Sequence, residues 1–288
     1  MTDISVIILT KNEQLHIKRC LERLAPLAPR QIFIVDCFST DDTKKIVNSF
    51  LQLQLKTPTK SSSLQLQLTP TTISFIEQEW PGLQSVQFNW ALDNLPINSG
   101  WILRLDADEY LTPESIEWIK ANLDKIDEKF DALEFTLERK FMGGEIRHGT
   151  NGIPMVRMFR SGRGRYIETL MDERIVFEGE KLPVPVVFYD DNLNSLEWWK
   201  EQHRGYAKRE AQQALESMRS GVWTDPRKAK YYRLPPYFRA FAYFCIRYFL
   251  KLGFLDGYAG FRWHFWQGLW YRLLVDREIG KLKRVNRK

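Results

Sequence analysis

Four apolar runs, each followed by a stretch with helical spacing, constrain this chain more than any other feature of it. "ISVIIL" (4–9), "QIFIVD" (31–36), "TISFIE" (72–77) and "GWILRLD" (100–106) have the length and β-branched content of buried strands. The first leads into "NEQLHIKRCLERL" (12–24), where Leu15, Leu21 and Leu24 fall at helical spacing and Asn12 stands as the candidate N-cap. "STDDTKKIVNSFL" (39–51) opens on capping residues, and "LQSVQFNWALDNL" (83–95) reads as a helix. "TPESIEWIKANLDKI" (112–126) starts with Thr112 as N-cap and Pro113 at the first helical position. Strand and helix alternate four times, which predicts an α/β fold: a mostly parallel sheet with right-handed crossovers and helices on both faces.

The 288 residues suffice for one large domain, or for a domain with an appendage. An apolar share of 44% and a charged share of 27% are those of a soluble globular protein. The net charge of +6 and pI near 9.1 suit an anionic partner such as a nucleotide, a phospholipid surface or nucleic acid, and equally a plain basic cytoplasmic protein. Cys20, Cys37 and Cys245 show no CxxC spacing, so a reducing compartment without a disulfide framework is expected. The first apolar run is too short and lacks the basic flank of a signal peptide, and no apolar run reaches the roughly eighteen residues of a membrane span.

Two segments depart from the alternation. "LQLQLKTPTKSSSLQLQLTPTT" (51–72) is low in complexity and reads as a surface insertion, with a strand-forming interaction segment as the alternative. After residue 130, "ALEFTLERKF" (132–141) and "IPMVRMFR" (153–160) look like strands, and "SLEWWKEQHRGYAKREAQQALESMRSG" (195–221) is a long helix opened by Ser195 and stopped by Gly221. The boundary this suggests divides 1–192 from a helical region, 193–288.

Open parallel sheets take ligands at the carboxyl ends of their strands. Here those ends are polar together: Thr10, Asn12 and Glu13 after the first, Asp36, Ser39 and Asp41 after the second, Asp106 and Asp108 after the fourth. "WILRLDADEY" (101–110) crowds Asp106, Asp108 and Glu109 into four positions. Two Asp one residue apart just past a strand can aim oxygens at one hard cation, which cancels their repulsion and grips a diphosphate. An isolated DxD is a weak signal; its place after a fourth strand, with carboxylates at two earlier strand ends, favours the metal–phosphate reading. Arg104 either balances Asp106 or is a packed strand residue.

"SVIILTKNE", "VDCFSTDDT", "QFNWAL" and "WILRLDADEYLTPE" together resemble the family 2 glycosyltransferases, most of all the lipopolysaccharide-core and exopolysaccharide β-glucosyltransferase type. The resemblance covers roughly residues 4–220. It implies a GT-A fold, the Rossmann-like nucleotide-diphospho-sugar transferase arrangement, in 1–192, and a metal-dependent inverting hexosyltransferase. It also implies a UDP-sugar donor and Mn²⁺ or Mg²⁺. By the same resemblance Thr10, Asn12 and Glu13 border the nucleoside, Asp36 bonds the uracil, and Ser39 and Asp41 shape that loop. Asn89 lies beside the nucleotide, Asp106 faces the ribose or sugar, and Asp108 is the main metal ligand. Phe88 stands where relatives often carry Arg or Lys. The relatives' general base is matched by "TLMDERIVFEG" (169–179), with Glu173 as first candidate and Asp172 as second. Near "VFYDD" (187–191) a His of relatives is missing, so that ligand is lost or replaced by Asp190. His203 or Arg204 on the long helix would contact the diphosphate or lie at the surface.

"PPYFRAFAYFCIRYFLKLGFLDGYAGFRWHFWQGLWYRLLV" (235–275) mixes aromatic rings with Arg, and "KLKRVNRK" ends the chain. Such a mix suits a peripheral face at an anionic membrane, or helices packed on the catalytic domain or on another copy in a homo-oligomer. No nucleic-acid-binding module accompanies it. The expected function is therefore transfer of a hexose, glucose in first place, to a saccharide or lipid-linked acceptor in cell-surface polysaccharide synthesis, by a cytoplasmic protein at the inner face of the plasma membrane. The alternatives are a nucleotidyltransferase, disfavoured by the absence of glycine in "TKNEQ", and a non-catalytic membrane-associated nucleotide-sugar-binding protein.

Overall fold

The computed structural model describes residues 1–56, 71–150, 152–171, 173–223 and 225–285. The chain forms two compact units. The first comprises Met1–Leu137, Ile153–Glu168 and Glu173–Asn192; the second gathers Glu138–Gly152, the short stretch after Glu168 and the chain from Leu193 on.

In the first unit the alternation read from the sequence is present: β1 (Thr2–Thr10), α1 (Ile17–Leu24), β2 (Pro29–Asp36), α2 (Thr43–Lys56), β3 (Thr72–Glu77), α3 (Gln84–Asn94), β4 (Trp101–Asp106) and, after the short β5 (Glu109–Leu111), α4 (Pro113–Asn122). Thr112 caps α4, its hydroxyl accepting from the Ser115 N–H, with Pro113 following. Residues 57–70, most of the low-complexity insertion, lie outside the described residues.

The strands β1, β2, β3 and β4 pair in parallel. Antiparallel strands continue the sheet: β6 (Phe130–Phe141), β8 (Ile153–Arg160) and β11 (Glu180–Asn192), in the order β3-β2-β1-β4-β8-β6-β11-β5. A short hairpin of β9 (Gly164–Tyr166) and β10 (Ile175–Phe177) stands apart from it. The last residues of β6 pair with β7 (Gly144–Ile146) in the second unit. Both faces of the parallel strands are covered, as their near-continuous apolar runs require. Ile4, Val6 and Ile8 pack with Ile17 and Leu21 of α1 and Ile116 of α4; Ile7, Leu9, Phe33 and Val35 pack with Phe88 and Ala91 of α3.

One helix start differs from the expectation. Asn12 does not cap α1, which begins five residues later at Ile17. Asn12 instead adopts φ +57°, the left-handed conformation that Asn tolerates better than most residues, and its side chain bonds the next loop.

The second unit is helical: α5 (Leu196–Ser220), α6 (Pro226–Arg233), α7 (Phe238–Cys245), α8 (Gly257–Trp263) and α9 (Tyr271–Val285). Ser195 caps α5 by accepting from the Trp198 N–H, and Gly221 ends it at φ +74°. Ala207, Ala211 and Ala214 of α5 let α9 approach through Tyr271, Val275 and Ile279. Two ionic contacts are buried there: Arg239 with Asp276, and Glu210 with Arg272 and the hydroxyls of Tyr232 and Tyr271.

Candidate functional site

Parallel pairing levels the strand ends. Thr10 is opposite Asp36, and Leu9 is opposite Asp106. The loops after β1 and β2 are then laced together. The buried Asp36 carboxylate accepts from the Thr10 hydroxyl at 2.8 Å, the Ser39 hydroxyl at 2.6 Å and the Ser39 N–H at 2.7 Å. The Asn12 N–H donates to Ser39 Oγ at 2.7 Å, and Asn12 Oδ1 accepts from the Thr40 N–H at 2.8 Å. Asp41 accepts from the Thr43 N–H and hydroxyl and from the Gln14 N–H. Burial opposes its charge, but these bonds hold its carboxyl below the ordinary value. Glu13 pairs with His16 Nδ1 at 2.6 Å. Lys11 Nζ donates to the carbonyls of Cys37 and Phe38.

The crowding in "WILRLDADEY" is resolved unequally. Two buried arginines serve two of the three carboxylates. Arg104 faces Asp106 Oδ1 at 3.4 Å and donates to Glu173 Oε2 at 2.6 Å. Arg157 pairs with Glu109 and lies 3.7 Å from Asp106. Burial alone would raise the Asp106 carboxyl, yet Arg104 and Arg157 hold it below its ordinary value. Burial pushes Glu109 up to about 8, against Arg157 and with help from Asp106 and Asp108; its Oε2 accepts the Asp106 N–H at 3.0 Å.

Asp108 has no such cation. Its carboxylate accepts from Asn192 Nδ2 at 2.9 Å and forms no ion pair with a described basic side chain. Burial, then the charges of Asp190, Asp106 and Glu13, push it up to about 7. The antiparallel pairing that sets Asp190 opposite Glu109 brings the end of β11 here. Asp191 closes this end by donating its N–H to the Asp108 carbonyl at 3.1 Å, while Arg19 pairs with Asp191 at 2.8 Å.

The family model described as Glycosyl transferase family 2 matches residues 5–169. The chain belongs to glycosyltransferase family 2. Its mixed sheet with helices on both faces is the GT-A arrangement. Among solved structures the transferase is similar to TarS of S. aureus in complex with UDP-GlcNAc, at 16% identity and a TM-score of 0.47, over 72% of this chain and 66% of that one. It is similar to the mannosyltransferase PcManGT of Pyrobaculum calidifontis in complex with GDP-Man and Mn²⁺, at 13% identity and 0.46, over 98% and 75%. It is also similar to glucosyl-3-phosphoglycerate synthase of Mycobacterium tuberculosis in complex with Mn²⁺, UDP and glucosyl-3-phosphoglycerate, at 16% and 0.32, over 46% and 43%. The chain thus spans about two thirds of the length of that TarS chain. No curated protein matches it by sequence.

The cluster at these strand ends draws on residues that the sequence pointed to and on others that it did not. Thr10, Asn12, Ser39, Asp36 and Asp41 form one laced pair of loops, and Arg104, Asp106 and Glu173 form one ionic chain. Asn89 bonds the β9 backbone: its amide donates to the Tyr166 carbonyl and accepts the Tyr166 N–H, each at 2.9 Å. The Tyr166 ring lies 4.7 Å below the Arg104 guanidinium, and Phe88 lies 5.5 Å from it. Phe88 is thus part of the aromatic seat of Arg104 on β4. Asp172 lies outside the described residues. His203 bonds the Trp199 carbonyl and stacks on the Trp199 ring, and Arg204 pairs with Glu201. Arg19, Arg157, Asp191 and Asn192 went unread. For Asp191 and Asn192 the local signal is the acidic end of "VFYDDN" (187–192); Arg19 and Arg157 have none.

The residues present fit a divalent cation held by few protein oxygens. Among the described residues no three His, Cys, Asp or Glu side chains converge as a closed metal cluster. Asp108 nonetheless presents a half-buried carboxylate amid like charge, with Asp106 two residues away. Such a donor set leaves most of a hard cation's coordination to water and phosphate oxygens.

Proposed function

We propose that this family 2 transferase moves a hexose, glucose in first place, from a UDP-sugar to a saccharide or lipid-linked acceptor in cell-surface polysaccharide synthesis, inverting the anomeric centre to a β-linkage. The observation that carries the donor half of this reading is the Asp108 carboxylate, half-buried among like charges at the level strand ends and without an ion pair to a described basic side chain.

In this reading the laced loops hold the nucleoside. Asp36 uses three of its roughly four acceptor positions on Thr10 and Ser39, and the remaining one, on Oδ2, suits the N–H of uracil. Asn12, Glu13 and Asp41 set the loop walls. Asp106 faces the ribose or sugar, and Asp108, with Asp106, would hold Mn²⁺ or Mg²⁺. When bound, that cation supplies positive charge to the departing diphosphate. Glu173 takes the proton of the acceptor hydroxyl; the freed oxygen attacks the anomeric carbon as the carbon–oxygen bond to UDP breaks and its electrons leave with the diphosphate. Arg104 orients Glu173 for this through their 2.6 Å contact; Asp172 is the second candidate for the base. The acceptor is met at the inner face of the plasma membrane, the protein being cytoplasmic and peripheral there.

A thermal-shift screen with Mn²⁺ and a panel of nucleotide-sugars tests the reading. UDP-glucose is expected to raise the melting temperature through binding to the native state alone. A rise with nucleoside triphosphates and none with any nucleotide-sugar would favour the nucleotidyltransferase instead.

A further inference from the structure

The second unit carries an apolar surface that the transfer reaction does not use. Helix α7 runs on through a wider turn, Ile246–Leu250, and the chain then bends over residues 251–256 into α8. Around this bend Phe249, Leu250, Leu252, Phe254, Leu255 and Tyr258 are between 43% and 77% exposed, Leu250 and Tyr258 the most. Singly exposed apolar residues are ordinary; six within ten positions form a patch that requires an occupant.

The bend is held from behind. The Asp256 carboxylate accepts from the N–H groups of Arg147 and His148 at 2.9 and 2.8 Å and bonds His148 Nδ1, and the Gly149 N–H donates to the Lys251 carbonyl at 3.0 Å. Leu252 is kept at φ +59°, a conformation that a branched side chain avoids unless its surroundings impose it. Tyr248 anchors the inner side, with Phe244, Phe249, Phe254 and Phe261 around its ring. The apolar residues therefore face outward from a braced turn.

The charge around the patch selects the occupant. Lys251 is exposed within the bend and Arg262 lies over the Tyr258 ring, while the stretch 246–262 contains one acid. That acid is Asp256, whose side chain is 3% exposed and turned inward. A second copy docked on the same face would set positive charge against positive charge. Anionic headgroups answer both features, and among the described residues no helix is long and apolar enough to cross a membrane.

We propose that the α7–α8 bend is an interfacial wedge: its apolar tip enters the headgroup boundary of an anionic bilayer while Lys251 and the basic residues beside it meet lipid phosphates. This deepens the membrane-facing part of the function proposed above, and its test uses neither nucleotide nor acceptor, so either can fail alone.

The full chain is floated with phosphatidylcholine vesicles and with vesicles that also contain phosphatidylglycerol. It is expected to float with the anionic vesicles, less as salt is raised, and to stay behind with phosphatidylcholine alone. The double variant Leu250→Glu, Tyr258→Glu is expected to lose at least about tenfold in partition with an unchanged melting temperature. Should it not fold, Leu250→Ser alone is expected to weaken partition severalfold. Wild-type protein that stays behind with both vesicles, or variants that float like wild type, would overturn the proposal. So would a dimer that the double variant dissolves in the absence of any vesicle binding, which would assign the patch to a second copy.

Discussion

Arg104 and Glu173 are joined by a 2.6 Å ion pair in which the arginine side chain is only 3% exposed. The same guanidinium faces Asp106 and rests on the Tyr166 ring. One strand residue thereby ties the candidate base to the strand end that carries the acidic motif. Removing it strands two carboxylates near a buried position. Arg104→Met is expected to destabilise the protein by about 3–5 kcal/mol, read as a lower urea midpoint with an unchanged slope.

The Glu173 carboxylate has a different test. Glu173→Gln keeps the shape and a hydrogen-bond acceptor for Arg104 but cannot take a proton. Transfer is expected to fall by about 10²–10⁴-fold, while calorimetric affinity for UDP stays within about twofold of wild type. Normal turnover in this variant would move the base elsewhere, with Asp172 next to be replaced.

Asp108 should weaken the protein when no cation is present, because its half-buried charge faces Asp190, Asp106 and Glu13. Asp108→Asn retains an acceptor for Asn192 and removes the repulsion. In EDTA at neutral pH it is expected to be more stable than wild type by about 1–2 kcal/mol, a rise of a few degrees in melting temperature. A fall would mean that the carboxylate supports the fold.

His264 in the second unit is fully buried, and burial, then Arg247, push it down from 6.5 to about 4, against Asp256. The unfolded chain takes up this proton below about pH 6.5, whereas the native protein refuses it until about pH 4. Stability is therefore full above that window and falls within it as pH drops, by about 3 kcal/mol from this group. His264→Gln is expected to flatten that part of the curve in pH-stepped denaturation; an unchanged slope would exclude His264 as its source.

The parallel half of the fold was legible because its signals are local. A β-branched run, a helical period or a Thr-Pro helix start needs no knowledge of the rest of the chain, and the same holds for the carboxylates that follow such strands. The antiparallel half was less legible. Glu109–Leu111 is a strand only because β11 lies beside it, and three residues carry no period. The ionic partners were least legible: Arg157 is 48 residues from Glu109, and Arg19 is 172 from Asp191. Asn12 misled because Asn suits a helix cap and a left-handed turn alike; its bond to Thr40 decides the matter. The bonds of Asn89 to the Tyr166 backbone were not legible either, because the two lie 77 residues apart.

The most direct measurement is calorimetry of UDP binding with Mn²⁺ and with EDTA, in wild type and in Asp108→Asn. Wild type is expected to bind far more tightly with Mn²⁺, and the variant to show the same weak affinity under both conditions. A variant that binds UDP and Mn²⁺ as wild type does would show that the Asp108 carboxylate does not hold the cation.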